Sequence, residues 1–300
     1  MRVHSHSTGN AGAAMSVWVE FADGKEPTGM MRRLVLVLLV IALGALSAAT
    51  GGGPAAAGKR SPASVVNSYS DAQLIDGFMR TVFGAEDPVQ NRRANRNRIK
   101  KFPGRVRVHI INLAQPDRSA EVRRFLKVLR ASVKNLNITE TRHEKKAEMI
   151  VFLIDRGDYR EVIEETLKGM PGQANSLLLR RSACSAVTGG RNGINLDRAF
   201  VYIVANEGRR AFRHCMVEEI TQSLGPVNDD WRLKDSIFND SSSVETFAIF
   251  DWYLLNMLYD RRVKAGMTPV QVRRVLPAAI ADARKRLSTL IANKRIDISR

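Results

Sequence analysis

Apolar positions recur along this chain with two different periods, and their alternation predicts an order of elements. Leu74, Ile75, Phe78, Met79, Val82 and Phe83 fall on one helical stripe. Ser70 and Gln73 stand ahead of them at capping-box spacing, which predicts a helix start. Gly84 to Lys101 is polar and basic and reads as a surface connection. Val106, Val108 and Ile110 then alternate with Arg107 and His109, the period of a half-buried strand. Pro116 and Asp117 open a helix that carries Val122, Phe125, Leu126, Leu129 and Val133. A short strand is predicted at about Asn137–Thr141. Ile150–Ile154 is apolar without a break, as in a central strand covered on both faces.

Tyr159–Lys168 reads as a short helix stopped by Gly169 and Pro171. Ala183–Thr188 and Ala199–Val204 read as strands. Gly189–Gly193 between them lacks the spacing of a phosphate cradle. Arg209–Leu224 is a predicted helix ended by Gly225-Pro226, and Val244–Tyr259 another. Thr268 and Gln271 form a second capping box, with Pro269 in the first helical position. They open a long helix to about Ala292 that turns Leu276, Ile280, Leu287, Leu290 and Ile291 inward. The order predicts an α/β (α+β) fold, a mixed sheet with helices followed by an all-helical C-terminal part. Residues 70–300 are expected as a single domain, α/β over 70–225 and helical over 226–300. Residues 50–69 are rich in Gly, Ala, Ser and Pro, and the part at 58–69 reads as a linker.

The chain ahead of the linker changes where the protein is expected to work. Arg32-Arg33, the apolar run Leu34–Leu43 and the small residues that follow form a signal peptide over 30–57. Cleavage is expected after Ala49 or within Ala55–Ala57. The apolar run falls short of the ~20 residues that span a bilayer. An exported protein, periplasmic or secreted, is the expectation; the alternative is an uncleaved anchor in the inner membrane. Residues 1–29 precede a complete signal and read as an over-extended start.

Export in turn decides how the charge is read. The chain has 47 basic and 30 acidic residues, a net charge of +17. Residues 58–145 hold 19 basic and 8 acidic side chains, including Arg92, Arg93, Arg96, Arg98, Lys100 and Lys101. Such a block is a solvated face or a patch for an anionic envelope lipid or polysaccharide. Nucleic acid is not expected outside the cytoplasm, and no nucleic-acid-binding motif is present. Cys184 and Cys215 are the two cysteines. They are too few for a disulfide scaffold, and in an exported chain they are expected to pair. The bond would close a loop of about 30 residues and stabilise the fold by roughly 3 kcal/mol.

The densest cluster of chemistry runs from His214 through Cys215, Glu218, Glu219, Gln222, Gly225 and Asn228 to Asp229. Ser236-Ile237-Phe238, Asp251, Leu258-Tyr259-Asp260 and Gly266-Met267 follow it. The spacing resembles the zinc-metalloprotease pattern H-E-x-x-H-x-x-G-x-x-H, which sets ligands at i and i+4 beside a glutamate base. Glu218, Gln222 and Asn228 occupy the three ligand positions, Glu219 the base and Gly225 the glycine. Ser236–Phe238 falls where such proteases carry a methionine turn. As a set, these motifs are similar to the bacterial domain of unknown function 2927, found in exported proteins, over roughly residues 70–290. The resemblance implies a zincin-like fold and no particular reaction.

All three histidines of the pattern are replaced, so zinc is not expected. Glu219 remains a candidate general base. Glu218, Gln222, Asn228 and Asp229 form an oxygen-rich set that suits calcium better than zinc, without the spacing of a calcium loop. Adjacent helix positions point about 100° apart, so Glu218 and Glu219 are not expected to face one substrate. His214 shares a face with Glu218 and reads as its surface ion-pair partner; His109 and His143 receive no role. Three functions compete. The first is a non-catalytic binding or scaffolding module of the cell envelope on a degenerate metalloprotease-like frame. The second is a peptidase-like hydrolase using Glu219 with an atypical metal or none. The third is a basic binder of anionic envelope lipid or polysaccharide.

Overall fold

In a computed structural model of the chain, the described residues are 61–83, 97–168, 183–190, 194–234, 236–239 and 244–296. The chain divides after Lys59, and all of these belong to the second unit, Arg60–Arg300. The segments read as a signal peptide and an over-extended start, with Arg92, Arg93 and Arg96, lie outside the described residues, as do Gly169, Pro171 and Gly193.

Five strands form one sheet: β1 (Val106–Asn112), β2 (Ile138–Glu140), β3 (Met149–Ile154), β4 (Cys184–Gly189) and β5 (Arg198–Val204). Their order is β2-β1-β3-β5-β4. Pairings are parallel except at the β4 edge, which runs antiparallel to β5 with Cys184 opposite Ile203. The uninterrupted apolar run of β3 has its predicted place. It pairs with β1 and β5, and all of its residues are buried. The sheet is mixed, as expected.

Helices cover both faces of the sheet. They are α1 (Pro62–Val66), α2 (Asp71–Val82), α3 (Ser119–Ser132), α4 (Tyr159–Thr166), α5 (Arg209–Gln222), α6 (Ile249–Leu258) and α7 (Pro269–Ala292). On one face, Val108, Val151, Leu153, Val201 and Ile203 join the cores of α2, α3, α5, α6 and α7. On the other, Ile150, Phe152, Ile154 and Tyr202 pack against Tyr159 and Ile163 of α4. Both predicted capping boxes are formed, Ser70 with Gln73 and Thr268 with Gln271. No helix among the described residues is long and apolar enough to cross a membrane.

Three elements differ from expectation. Helix α3 begins at Ser119, because the Asp117 carboxylate accepts from the Ser119 amide and makes a turn there instead of a helical residue. Helix α6 begins at Ile249 rather than Val244. Residues 244–248 are held across α5 instead: the His214 ring contacts the Val244 carbonyl at 2.7 Å, and Arg210 pairs with Glu245 at 3.3 Å. Within the predicted linker, Ser61 caps α1, which packs Val66 into the core.

Candidate functional site

Helix α5 lies across β4 and β5, with Cys215 in its second turn. Cys215 is bonded to Cys184, the first residue of β4, with Cα atoms 5.7 Å apart. The expected disulfide therefore fastens the motif helix to the sheet edge. Glu219 follows Cys215 by one turn, and Glu218 follows His214 by one turn.

The two glutamates do what their helical positions argue against. An oxygen of each carboxylate and the Cys184 sulfur all lie within 4.8 Å of one another. Each glutamate is only 8% exposed. Side-chain torsions over three bonds close the ~100° between adjacent Cα–Cβ directions. Glu218 is held by His214, whose Nε2 lies 3.2 Å from its carboxylate. The Val244 carbonyl can only accept, so Nδ1 of that ring carries a proton. The other ring nitrogen then meets the Glu218 carboxylate. This pair is partly buried, not a surface pair as expected.

Glu219 has electrostatic reach to Tyr159 at the start of α4. Burial pushes the Tyr159 hydroxyl well above its ordinary range, and the Glu219 charge adds to that rise. The Tyr159 hydroxyl and Ser185 Oγ, next to Cys184 on β4, are 2.9 Å apart. Neither Tyr159 nor Ser185 stands out in the sequence; only the strand pairing and the disulfide bring them here.

The remaining motif positions are committed elsewhere. The Gln222 amide donates to Asp229 at 3.0 Å. The Asn228 side chain donates to the Arg80 carbonyl at 2.9 Å, and its backbone amide to the Thr81 carbonyl at 3.1 Å. Asn228 thus satisfies the open C-terminal carbonyls of α2. Gly225 has φ +131°, and a Cβ there would sit 2.3 Å from the Lys100 carbonyl oxygen. Ser236–Phe238 forms a turn closed by Asp251 of α6. The fully buried Asp251 carboxylate accepts from the amides of Ile237 at 3.3 Å and Ala248 at 2.8 Å, and from Ser236 Oγ.

This arrangement does not fit zinc. Structural zinc takes four N or S donors, and catalytic zinc takes three protein ligands. Here Cys184 is spent in a disulfide, Gln222 and Asn228 are neutral amides fixed through their nitrogens on Asp229 and the Arg80 carbonyl, and two carboxylates remain as strong donors. Calcium needs six to eight oxygens; of the oxygen-rich set, the Asp229 carboxylate accepts from Gln222 and the Glu218 carboxylate meets His214.

The described part of the basic block is tied to the rest of the fold at several points. Arg98 donates to the Gly266 carbonyl at 3.2 Å. Lys101 Nζ donates to the carbonyls of Leu258 and Val263, both at 2.7 Å, and stands over the Tyr259 ring. Lys100 presents its carbonyl to Gly225. Leu258-Tyr259-Asp260 and Gly266-Met267 therefore clamp one strand-like segment: Ile99 donates to the Met267 carbonyl, and Gly266 donates back to Ile99.

A family model described as "Protein of unknown function (DUF2927)" matches residues 71–278. No curated protein and no solved structure matches the chain.

Proposed function

The chain belongs to the DUF2927 family, and on that footing we propose a non-catalytic binding or scaffolding module, built on a degenerate metalloprotease-like frame and working in the cell envelope after export. One observation carries this reading: each of the three positions that would bind zinc in a metalloprotease is committed to a different partner inside the fold. Glu218 meets His214, Gln222 meets Asp229, and Asn228 meets the end of α2. The frame itself supports the zincin comparison. A mixed sheet, a glutamate-bearing helix, a glycine stop, a buried turn and a second helix follow in the order the motif resemblance implies. The Cys184–Cys215 bond supports an exported protein, because such bonds persist in oxidising compartments.

A second reading, a hydrolase, draws support from the convergence of Glu218 and Glu219. Two carboxylates in unlike surroundings can divide acid and base roles, and only one of this pair is held by a histidine. The two readings separate in one experiment. The disulfide-intact protein is incubated with a peptide library and with simple ester substrates, each with added zinc and with chelator. The module reading expects no turnover in any arm. Cleavage that Glu219→Gln abolishes would replace it with the hydrolase reading.

A further inference from the structure

The clamp around Lys101 leaves a cavity of about 400 Å³ beside it. This volume lies in the range of small-ligand pockets. Its walls come from separate parts of the chain: Lys101 and Gly104 before β1, Asn135 after α3, and Asp260, Arg261 and Lys264 after α6. We propose that this cavity binds a small, multiply charged anion, with Lys101 on its inner wall and Arg261 and Lys264 at its rim.

The charge balance carries the proposal. Arg261 and Lys264 are exposed, and neither side chain has an acidic partner among the described residues. Asp260 is the acidic group in the wall, and Arg262 already answers it at 3.2 Å. The lining therefore carries a positive excess that a single monovalent anion would not balance. Lys101 adds direction. Two of its three donor positions are taken by the Leu258 and Val263 carbonyls, and beside the Tyr259 ring the third has no hydrogen-bond acceptor among the described residues. Neutral amides complete the wall, Asn135 being fixed by its own bond to the Tyr259 carbonyl at 3.1 Å. Burial lowers the Lys101 ammonium to about 8, partly offset by Asp260. An anion in the cavity would restore its charge and draw a proton in on binding. The charged and titratable groups around Lys101 are Asp260 and Tyr259 beside it and Arg261 and Lys264 in the same wall, with Arg262 paired to Asp260. This site is independent of the glutamate pair, so its test does not bear on the module reading.

The test is calorimetric titration of the full, disulfide-intact chain with pyrophosphate and with citrate at low salt. The expected result is one saturable site per chain, weakened at least tenfold by the surface variant Arg261→Ala/Lys264→Ala and lost in Lys101→Met. At pH 8, heats measured in buffers of different ionisation enthalpy should show uptake of about half a proton per anion. Tighter pyrophosphate marks a phosphate ligand, and tighter citrate a polycarboxylate. The Arg261→Ala/Lys264→Ala variant leaves the clamp intact, so the test stands even if Lys101→Met unfolds. No saturable binding of either anion, binding unchanged by Arg261→Ala/Lys264→Ala, or binding only to vesicles of anionic lipid would overturn the proposal.

Discussion

Gly225→Ala is the substitution that most directly tests how the motif glycine works in this fold. In the metalloprotease pattern the glycine frees the chain to swing a third ligand inward. Here it allows two backbones to touch. The residue has φ +131°, and an added Cβ would lie 2.3 Å from the Lys100 carbonyl oxygen and 3.1 Å from Leu258 Cδ2. A side chain at that φ costs about 1–3 kcal/mol in backbone strain. Opening a packed backbone contact costs about 1–3 kcal/mol more, because a carbonyl cannot rotate away like a flexible side-chain end. The two together give about 4 kcal/mol. For a domain of this size that lowers the melting temperature by roughly 8–16 °C. Urea unfolding followed by tryptophan fluorescence measures the loss, with Gly157→Ala as the control. A Cβ at Gly157 would meet nothing within 4 Å, so that substitution should change stability by less than about 0.5 kcal/mol or raise it. Equal midpoints for the two variants would refute the close-contact reasoning. A proportionate loss in Gly225→Ala would also move Lys100 and disturb the clamp on Lys101.

Further perturbations test separate parts of the account. The Cys184–Cys215 bond spans 31 positions, so in the chain-entropy model Cys184→Ala/Cys215→Ala should lose roughly 3–4 kcal/mol and roughly 6–16 °C by calorimetry; a loss below about 2 °C would contradict a stapling role. Asp251→Ala strands three donors at a fully buried position and should cost at least about 3 kcal/mol in urea unfolding; near-neutral behaviour would show that the Ser236 turn does not depend on it. The Lys101 amine is lowered to about 8 in the fold from its ordinary 10.5. Between those values the unfolded chain holds the proton that the folded chain has released, so the native state gains stability as pH rises. The difference in unfolding free energy between wild type and Lys101→Met should therefore move in favour of wild type from pH 7 to 10; a flat difference would mean that the amine is not desolvated.

Local signals in the chain were legible where one residue pattern answers one physical demand. Ser70 with Gln73 and Thr268 with Gln271 announce helix starts, because a hydroxyl and an amide at that spacing satisfy each other's backbone donors. Ile150–Ile154 announces a central strand, since only a doubly covered strand tolerates no polar residue. The cysteine pairing followed from there being two cysteines in a chain read as exported. What stayed hidden depends on distant chain crossings. Val244 looked helical, yet His214 and Arg210 hold residues 244–248 flat against α5. Lys101 reads as one more member of a solvated block, but the end of α6 and the loop after it each supply a carbonyl for it. The meeting of Glu218 and Glu219 depends on rotamers that no spacing encodes, and the commitment of Asn228 depends on where α2 ends.

The central claim, that the metalloprotease-like positions hold the fold together instead of holding a metal, is tested most directly by zinc stoichiometry. The disulfide-intact protein is loaded with excess zinc, passed through a desalting column and assayed by elemental analysis alongside a Glu218→Gln/Gln222→Ala variant. The account predicts well under about 0.1 zinc per chain in both, because two carboxylates alone do not make a zinc site. Zinc near one per chain, lost in Glu218→Gln/Gln222→Ala and accompanied by chelator-sensitive peptide cleavage, would contradict it.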